Sequence, residues 1–182
     1  CGVPLDCPGA AAQGVIDAVE FLRDLALLKD VRVGSKVAVI GGGDTAIDSA
    51  RSALRMGVNE VHLVYRRTRD EMPAHDREIE DAEAEGVQFH FLAAPGEVLV
   101  KNGKVAGLVC QQMKLGEWDT SGRRRPVPAE GQEFVLDVDT VIPALGQVVS
   151  GECCVETSRG KVCCNPLTLA TDRPNVFAGG DA

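Results

Sequence analysis

Aromatic residues are scarce in this chain, at 4% of 182 residues, with one tryptophan and one tyrosine. A core must therefore come from Val, Ile, Leu and Ala, and the 45% hydrophobic content argues against general disorder. No apolar run approaches the roughly 18–20 residues of a membrane-spanning helix, and no charged-then-apolar signal segment opens the sequence. Basic excess is missing as well. With 27 acidic and 19 basic residues the formal charge is −8, which opposes a broad nucleic-acid surface but leaves room for a local basic pocket. No solenoid repeat and no low-complexity segment is present. The seven cysteines are an odd number in a sequence unlike a small secreted disulfide scaffold, which points to a reducing cytoplasm. The first residue is Cys rather than Met, so the chain is expected to begin within something longer.

What is present alternates strand and helix signals. Residues 1–14 are rich in Gly, Pro and Ala and read as loop. Val15, Val19, Leu22 and Leu25 follow at helical spacing. "KVAVIGGG" is a β-branched run stopping on glycines, which predicts a buried parallel strand. A helix is expected next, with Ala46, Ile47, Ala50, Ala53 and Leu54 on one face and Gly57 as its stop. "VHLVY", a polar helix closed by Gly86, and "VQFHFL" complete a strand-helix-strand-helix-strand series. Beyond it, Asn102-Gly103 marks a hairpin, residues 116–131 read as loop, and "EFVLDV" and "TVIPALG" read as strands. The expected fold class is α/β: a three-layer, Rossmann-like βαβαβ parallel sheet with an antiparallel β-meander crossover.

Gly41, Gly43 and Ala46 fit the G-x-G-x-x-A dinucleotide fingerprint, between a predicted strand and a predicted helix. The first glycine permits the turn, the second lets backbone approach a pyrophosphate, and the small third residue lets the helix lie close. N–H groups from Gly43 to Thr45 would meet the phosphates. A turn needed only for packing is the alternative. Asp44, a carboxylate beside a phosphate, is expected to cap the helix instead. In NAD-binding versions an acid at the end of the second strand bonds the ribose 2′-hydroxyl; this sequence has Arg66 and Arg67 there, followed by Arg69. Guanidinium groups bind a 2′-phosphate where a carboxylate would repel it, so NADP(H) is the expected ligand. A solvated basic loop paired with Asp70 and Glu71 is the alternative.

"VAVIGGGDTAIDSARSA", "VHLVYRRTRDEMPA", "TVIPALGQ" and "VFAGGDA", with "GVIDAVEFL" and "SGRRRPVP", occur in an order that resembles the small (beta) subunit of glutamate synthase and related flavoproteins. The wider group is similar in fold to thioredoxin reductase, although the Cys-x-x-Cys redox pair of that enzyme is absent from the nucleotide domain here. The resemblance implies an NADP(H)-binding domain over 31–146, with 1–30 and 147–182 as flanking segments of a truncated FAD-binding domain. It implies Gly41, Gly42, Gly43, Asp44 and Thr45 around the pyrophosphate, Arg66 and Arg67 at the 2′-phosphate with Arg69 assisting, and Ala144, Leu145 and Gly146 near the nicotinamide. Gly180 and Asp181 would belong to the FAD domain. NADPH would pass hydride to a flavin, and electrons would leave through iron–sulfur centres of the parent protein. The family's flavin fingerprint and its iron–sulfur-binding region are absent from these residues, so the chain is expected to bind NADP(H) and no FAD by itself.

Other residues carry less. Cys153-Cys154 and Cys163-Cys164 invite a metal reading, but adjacent strand residues point to opposite faces, and buried small hydrophobes are expected. His62, His75 and His90 are scattered and are expected to be structural. Arg123–Arg125 read as a solvated run. No general acid, base or nucleophile is assigned. A self-sufficient NADP-dependent dehydrogenase and a non-catalytic nucleotide sensor remain alternatives.

Overall fold

The structure is a computed structural model that describes residues 2–118, 122–148, 154–158 and 160–180. Cys1, Cys153 and Asp181 lie outside these. The chain divides into two compact units, Pro4–Leu145 and a smaller one of Cys1–Val3 with Gly146–Ala182. Residues 4–30 fall in the larger unit together with the parallel sheet.

In the larger unit, helix α1 (Ala18–Ala26) begins where Asp17 caps it, its carboxylate accepting from the N–H of Val19 and Glu20. Strand β1 (Lys36–Ile40), helix α2 (Asp44–Arg55), strand β2 (Glu60–Tyr65), helix α3 (Asp76–Glu85) and strand β3 (Gln88–Phe91) follow in the anticipated alternation. Strands β4 (Ala93–Lys101), β5 (Lys104–Trp118) and β6 (Arg124–Leu136) form an antiparallel sheet, and β7 (Thr140–Pro143) returns to the parallel one. The parallel sheet has the order β3-β2-β1-β7.

Alternation along the strands creates the layers. Val37, Val39, Val61 and Leu63 face Phe21 of α1, Ile47 and Ala50 of α2 and Ile79 of α3. Ala38, Ile40, Val64 and Val141 face the meander through Val98, Val105, Leu108 and Leu136. Each Val, Leu, Ile or Phe side chain among them taken from water contributes roughly 1.5–3 kcal/mol. Cys110, among them, has its thiol pushed up to about 12 by burial and serves as a small hydrophobe. Both helix stops are glycines in the left-handed region, Gly57 at φ +90 and Gly86 at φ +106. After α2 the N–H of Val58 donates to Ala53 and that of Gly57 to Leu54, the paired bonds of a Schellman closure.

Two expectations change. Residues 116–131 are mostly strand, the far arms of the β5–β6 hairpin. Pro126 and Pro128 disguise it, yet they sit on β6, an edge strand, where a missing N–H costs no ladder bond. In α1 the buried residues are Ala18 and Phe21, while Val15 lies outside the helix in a bridge to Val141.

The smaller unit holds a short hairpin, β8 (Thr157–Ser158) and β9 (Lys161–Val162), and a bridge from Ala170 to Phe177. Cys154 and Cys164 are exposed and Cys163 half-buried, so these are not the buried hydrophobes expected. No helix among the described residues is long and apolar enough to cross a membrane.

Under the meander, His62 of β2 meets His90 of β3, Nδ1 to Nε2 at 3.0 Å, and the His90 ring stacks on Phe134. Burial lowers both pKa values; Glu60 opposes this at His62 and Lys36 adds to it, while at His90 the neighbouring His62 adds to it. Groups whose folded pKa is depressed leave stability full above the unfolded value of about 6.5 and take it away as pH falls through the folded values. Urea unfolding should therefore show a lower midpoint at pH 5.5 than at pH 7.5. A His62→Gln/His90→Gln variant should lose most of that difference, and an undiminished difference would contradict the assignment.

Candidate functional site

The carboxyl ends of β1, β2 and β7 meet at the glycine turn, and each glycine there does something different. The N–H of Gly41 donates to Val64 and that of Ala144 donates to Ile40, extending both ladders past the strand ends. Gly41 has φ +150, and a Cβ on it would lie 2.4 Å from the Ala144 carbonyl oxygen and 3.2 Å from the Cβ of Ala46. At Gly42 a Cβ would fall 2.4 Å from the ring of Tyr65. Gly43 is unlike both, since a Cβ there would meet only Cγ of Pro73, at 3.8 Å.

Gly43 is also the N-cap of α2, at φ −94 and ψ 176, with no side-chain cap. Helix geometry provides no intrahelical acceptor for the first N–H groups, and here no side chain substitutes. Asp44 is thus not the cap expected. It is the first residue of the helix, and its Oδ1 accepts from the His75 N–H at 3.2 Å while lying 3.8 Å from His75 Nδ1. Thr45 turns its carbonyl to the Ser49 hydroxyl at 2.7 Å. The result is a helix start where an added Cβ would meet only Pro73 at contact distance, with its carboxylate drawn aside, a geometry suited to an anion.

The loop after β2 folds back over this turn. The Ala74 N–H donates to the Gly42 carbonyl, and the Tyr65 hydroxyl donates to the Glu71 carbonyl at 2.7 Å. The Glu71 carboxylate accepts from the Thr68 hydroxyl at 3.0 Å and from the Arg124 N–H at 3.3 Å. Sequence reading did not single out Tyr65 or Glu71 as parts of the site. Their roles depend on which loop crosses the turn, and no motif spacing encodes that.

The three arginines separate. Arg66 is exposed and has no ion pair among the described residues. Arg67 is 5% exposed, and its Nε donates to the Arg124 carbonyl at 3.0 Å. Arg69 is bound to Glu83, with Nη1 at 3.1 and 3.2 Å from the carboxylate oxygens. Among the described residues no ion pair joins Arg66 or Arg69 to Asp70 or Glu71, and of the three only Arg66 is exposed. At the end of β7, Ala144 is half-buried and Leu145 is 42% exposed. In the smaller unit Gly146 accepts from the Val3 N–H, and Gly180 has φ +76 with open space around it.

Residues 2–182 match the family model for pyridine nucleotide-disulphide oxidoreductases. The chain is similar to the NADP(+)-dependent formate dehydrogenase subunit beta of Moorella thermoacetica, 53% identical over 175 residues that cover 92% of this chain and 24% of that subunit. It is 39% identical over 196 residues to the Glutamate synthase [NADPH] small chain of Azospirillum brasilense, covering 97% of this chain and 40% of that one. Among solved structures, Mycobacterium tuberculosis FprA in complex with NADPH matches 94% of this chain and 53% of its own length, with a TM-score of 0.73 at 20% identity. Thioredoxin reductase of Lactococcus lactis matches at a TM-score of 0.71 and 21% identity, covering 100% of this chain and 54% of its own length. At such identities the structural likeness is one of fold. This chain spans only part of each relative.

The glycines separate packing from binding. Gly41→Ala places a methyl against a backbone carbonyl at a left-handed φ, so it should lower folding stability by about 2 kcal/mol or more. Gly43→Ala should leave the thermal midpoint nearly unchanged yet abolish nucleotide binding by filling the space before the helix. Calorimetric titration beside thermal unfolding checks both. Nucleotide binding by Gly43→Ala at wild-type strength would return this turn to a packing role.

Proposed function

The chain belongs to the pyridine nucleotide-disulphide oxidoreductase family, and from that premise we propose that Pro4–Leu145 holds NADPH for a flavin-dependent oxidoreductase of the glutamate synthase small-subunit type. The observation that carries this reading is the pairing, at the carboxyl edge of the parallel sheet, of an uncapped helix start with an exposed arginine that has no ion pair among the described residues. In a doubly wound sheet, ligands bind outside the carboxyl ends of the strands, and both features lie there.

The residues fit the dinucleotide. N–H groups of Gly43, Asp44 and Thr45 would hold the pyrophosphate at the positive end of α2. Arg66 would bind the 2′-phosphate that distinguishes NADP(H) from NAD(H). Arg67 is a positioning residue, since its Nε fixes the neighbouring hairpin instead of facing solvent, and Arg69 is occupied by Glu83. Ala144 and Leu145 border the side toward the nicotinamide. When bound, NADPH supplies a hydride from C4 of its nicotinamide, for which flavin N5 is the acceptor. The chain's own part is to place and orient the nucleotide, so no general acid or base is required.

We assign Gly146–Ala182, including Gly180 and Asp181, to the flavin-binding part of the parent protein. Onward electron transfer through iron–sulfur centres of a partner region is in keeping with relatives named as formate dehydrogenase and glutamate synthase subunits. A cytoplasmic setting is in keeping with the free thiols of Cys7, Cys110, Cys154, Cys163 and Cys164.

Titration of NADP⁺ and NAD⁺ into the chain tests the reading. A charge-assisted bond to phosphate contributes roughly 1.5–3 kcal/mol, so Arg66→Ala should weaken NADP⁺ by about 10- to 150-fold and leave NAD⁺ unchanged. Equal affinity of the wild-type chain for both nucleotides would overturn the assignment.

A further inference from the structure

We propose that the cleft between the loop after β2 and the far end of the β5–β6 hairpin receives the purine of the nucleotide, with Trp118 as its stacking surface. This rests on the reading of the glycine turn and Arg66 as an NADP(H) site, and it adds a specificity-determining residue that no motif marks. The cleft has a volume of about 500 Å³, with Asp70, Met72 and Pro73 on one wall and Leu115, Trp118 and Arg123 on the other. That volume lies in the range of small-molecule sites, roughly 300–1,000 Å³.

Position connects the cleft to the turn. Pro73 lines the cleft and is also the side chain nearest the open space at Gly43, 3.8 Å from where a Cβ would be. The wall containing Asp70, Met72 and Pro73 continues directly from Arg66 in the chain. A dinucleotide with its pyrophosphate on the turn extends its adenosine half toward the second strand, and the wall of the cleft from Thr68 to Pro73 follows that strand in the chain.

Chemistry selects the occupant. Trp118 is 71% exposed, an uncommon placement for the largest apolar side chain. Beside the apolar faces of Met72, Pro73 and Leu115 it offers a platform that a planar heteroaromatic ring would cover. Asp70 has no hydrogen-bond or ion-pair partner among the described residues and is an acceptor for an exocyclic amino group such as that of adenine.

The two walls are tied to each other. Arg67 Nε donates to the Arg124 carbonyl, the Arg124 N–H donates to Glu71, and the Arg124 guanidinium donates to the carbonyls of Leu115 and Gly116. This lacing accounts for an arginine buried beside the exposed Arg66, because it fixes the hairpin end against the loop that bears Arg66.

Trp118 is the chain's one tryptophan, so its fluorescence reports on the cleft alone. The probe is adenosine 2′,5′-bisphosphate, which has the purine and the 2′-phosphate and lacks nicotinamide. Binding should quench the wild-type emission saturably. By calorimetry, Trp118→Ala should weaken this probe about tenfold and Trp118→Phe should keep most of the affinity; far-ultraviolet dichroism confirms the fold of each variant. Unchanged emission on binding, together with wild-type affinity in Trp118→Ala, would overturn the proposal. If Arg66→Ala weakens the probe in that case, the NADP(H) reading stands without the cleft. Failure of the wild-type chain to bind the probe would remove both.

Discussion

Everything at the carboxyl edge of the parallel sheet depends on the missing side chains at residues 41 and 42. Without a Cβ on Gly41, the Ala144 carbonyl can approach and β7 can stay paired with β1 beyond its last strand residue. Without one on Gly42, the Tyr65 ring can lie against the turn. The first contact brings the 144–145 segment beside the start of α2, and the second brings the arginine loop there. Close packing admits no compromise at such distances. Gly41 and Gly42 are closely packed, whereas a Cβ on Gly43 would meet only Pro73, at 3.8 Å.

From that junction the polar connections spread outward in sequence. Tyr65 passes its hydroxyl to the Glu71 carbonyl, the Glu71 carboxylate receives the Arg124 N–H, and Arg67 closes the circuit on the Arg124 carbonyl. Two of the charged groups in this circuit are spent on building the site. Arg66 lies outside it, exposed and with no ion pair among the described residues. In a chain with formal charge −8, positive groups need only be placed, not abundant, for the proposed anion site.

How much of this was legible in the residues depended on how local each cause is. The β1–turn–α2 unit, the stops at Gly57 and Gly86, and the Asn102-Gly103 hairpin rest on backbone conformations that neighbouring residues dictate. Asn102 and Gly103 both have positive φ, at 54 and 78, as the favoured two-residue hairpin turn requires. The strand nature of 116–131 was hidden because its prolines are tolerated only through their place on an edge strand, a fact of topology. Residue type points to Asp44 as the cap of α2, but its carboxylate is taken by the His75 N–H, 31 residues away. Adjacent arginines looked equivalent in sequence, and only tertiary packing buried Arg67 while leaving Arg66 exposed. Residue type and spacing point to NADP(H), whereas the contrast between a buried Arg67 and an exposed Arg66 is set by the fold.

A crystal structure of the chain grown with NADP⁺ is the measurement that bears most directly on the central claim. The account places the pyrophosphate on the N–H groups of Gly43 to Thr45 and the 2′-phosphate against the Arg66 guanidinium. Pyrophosphate density away from the start of α2, or a 2′-phosphate held by groups other than Arg66, would contradict it.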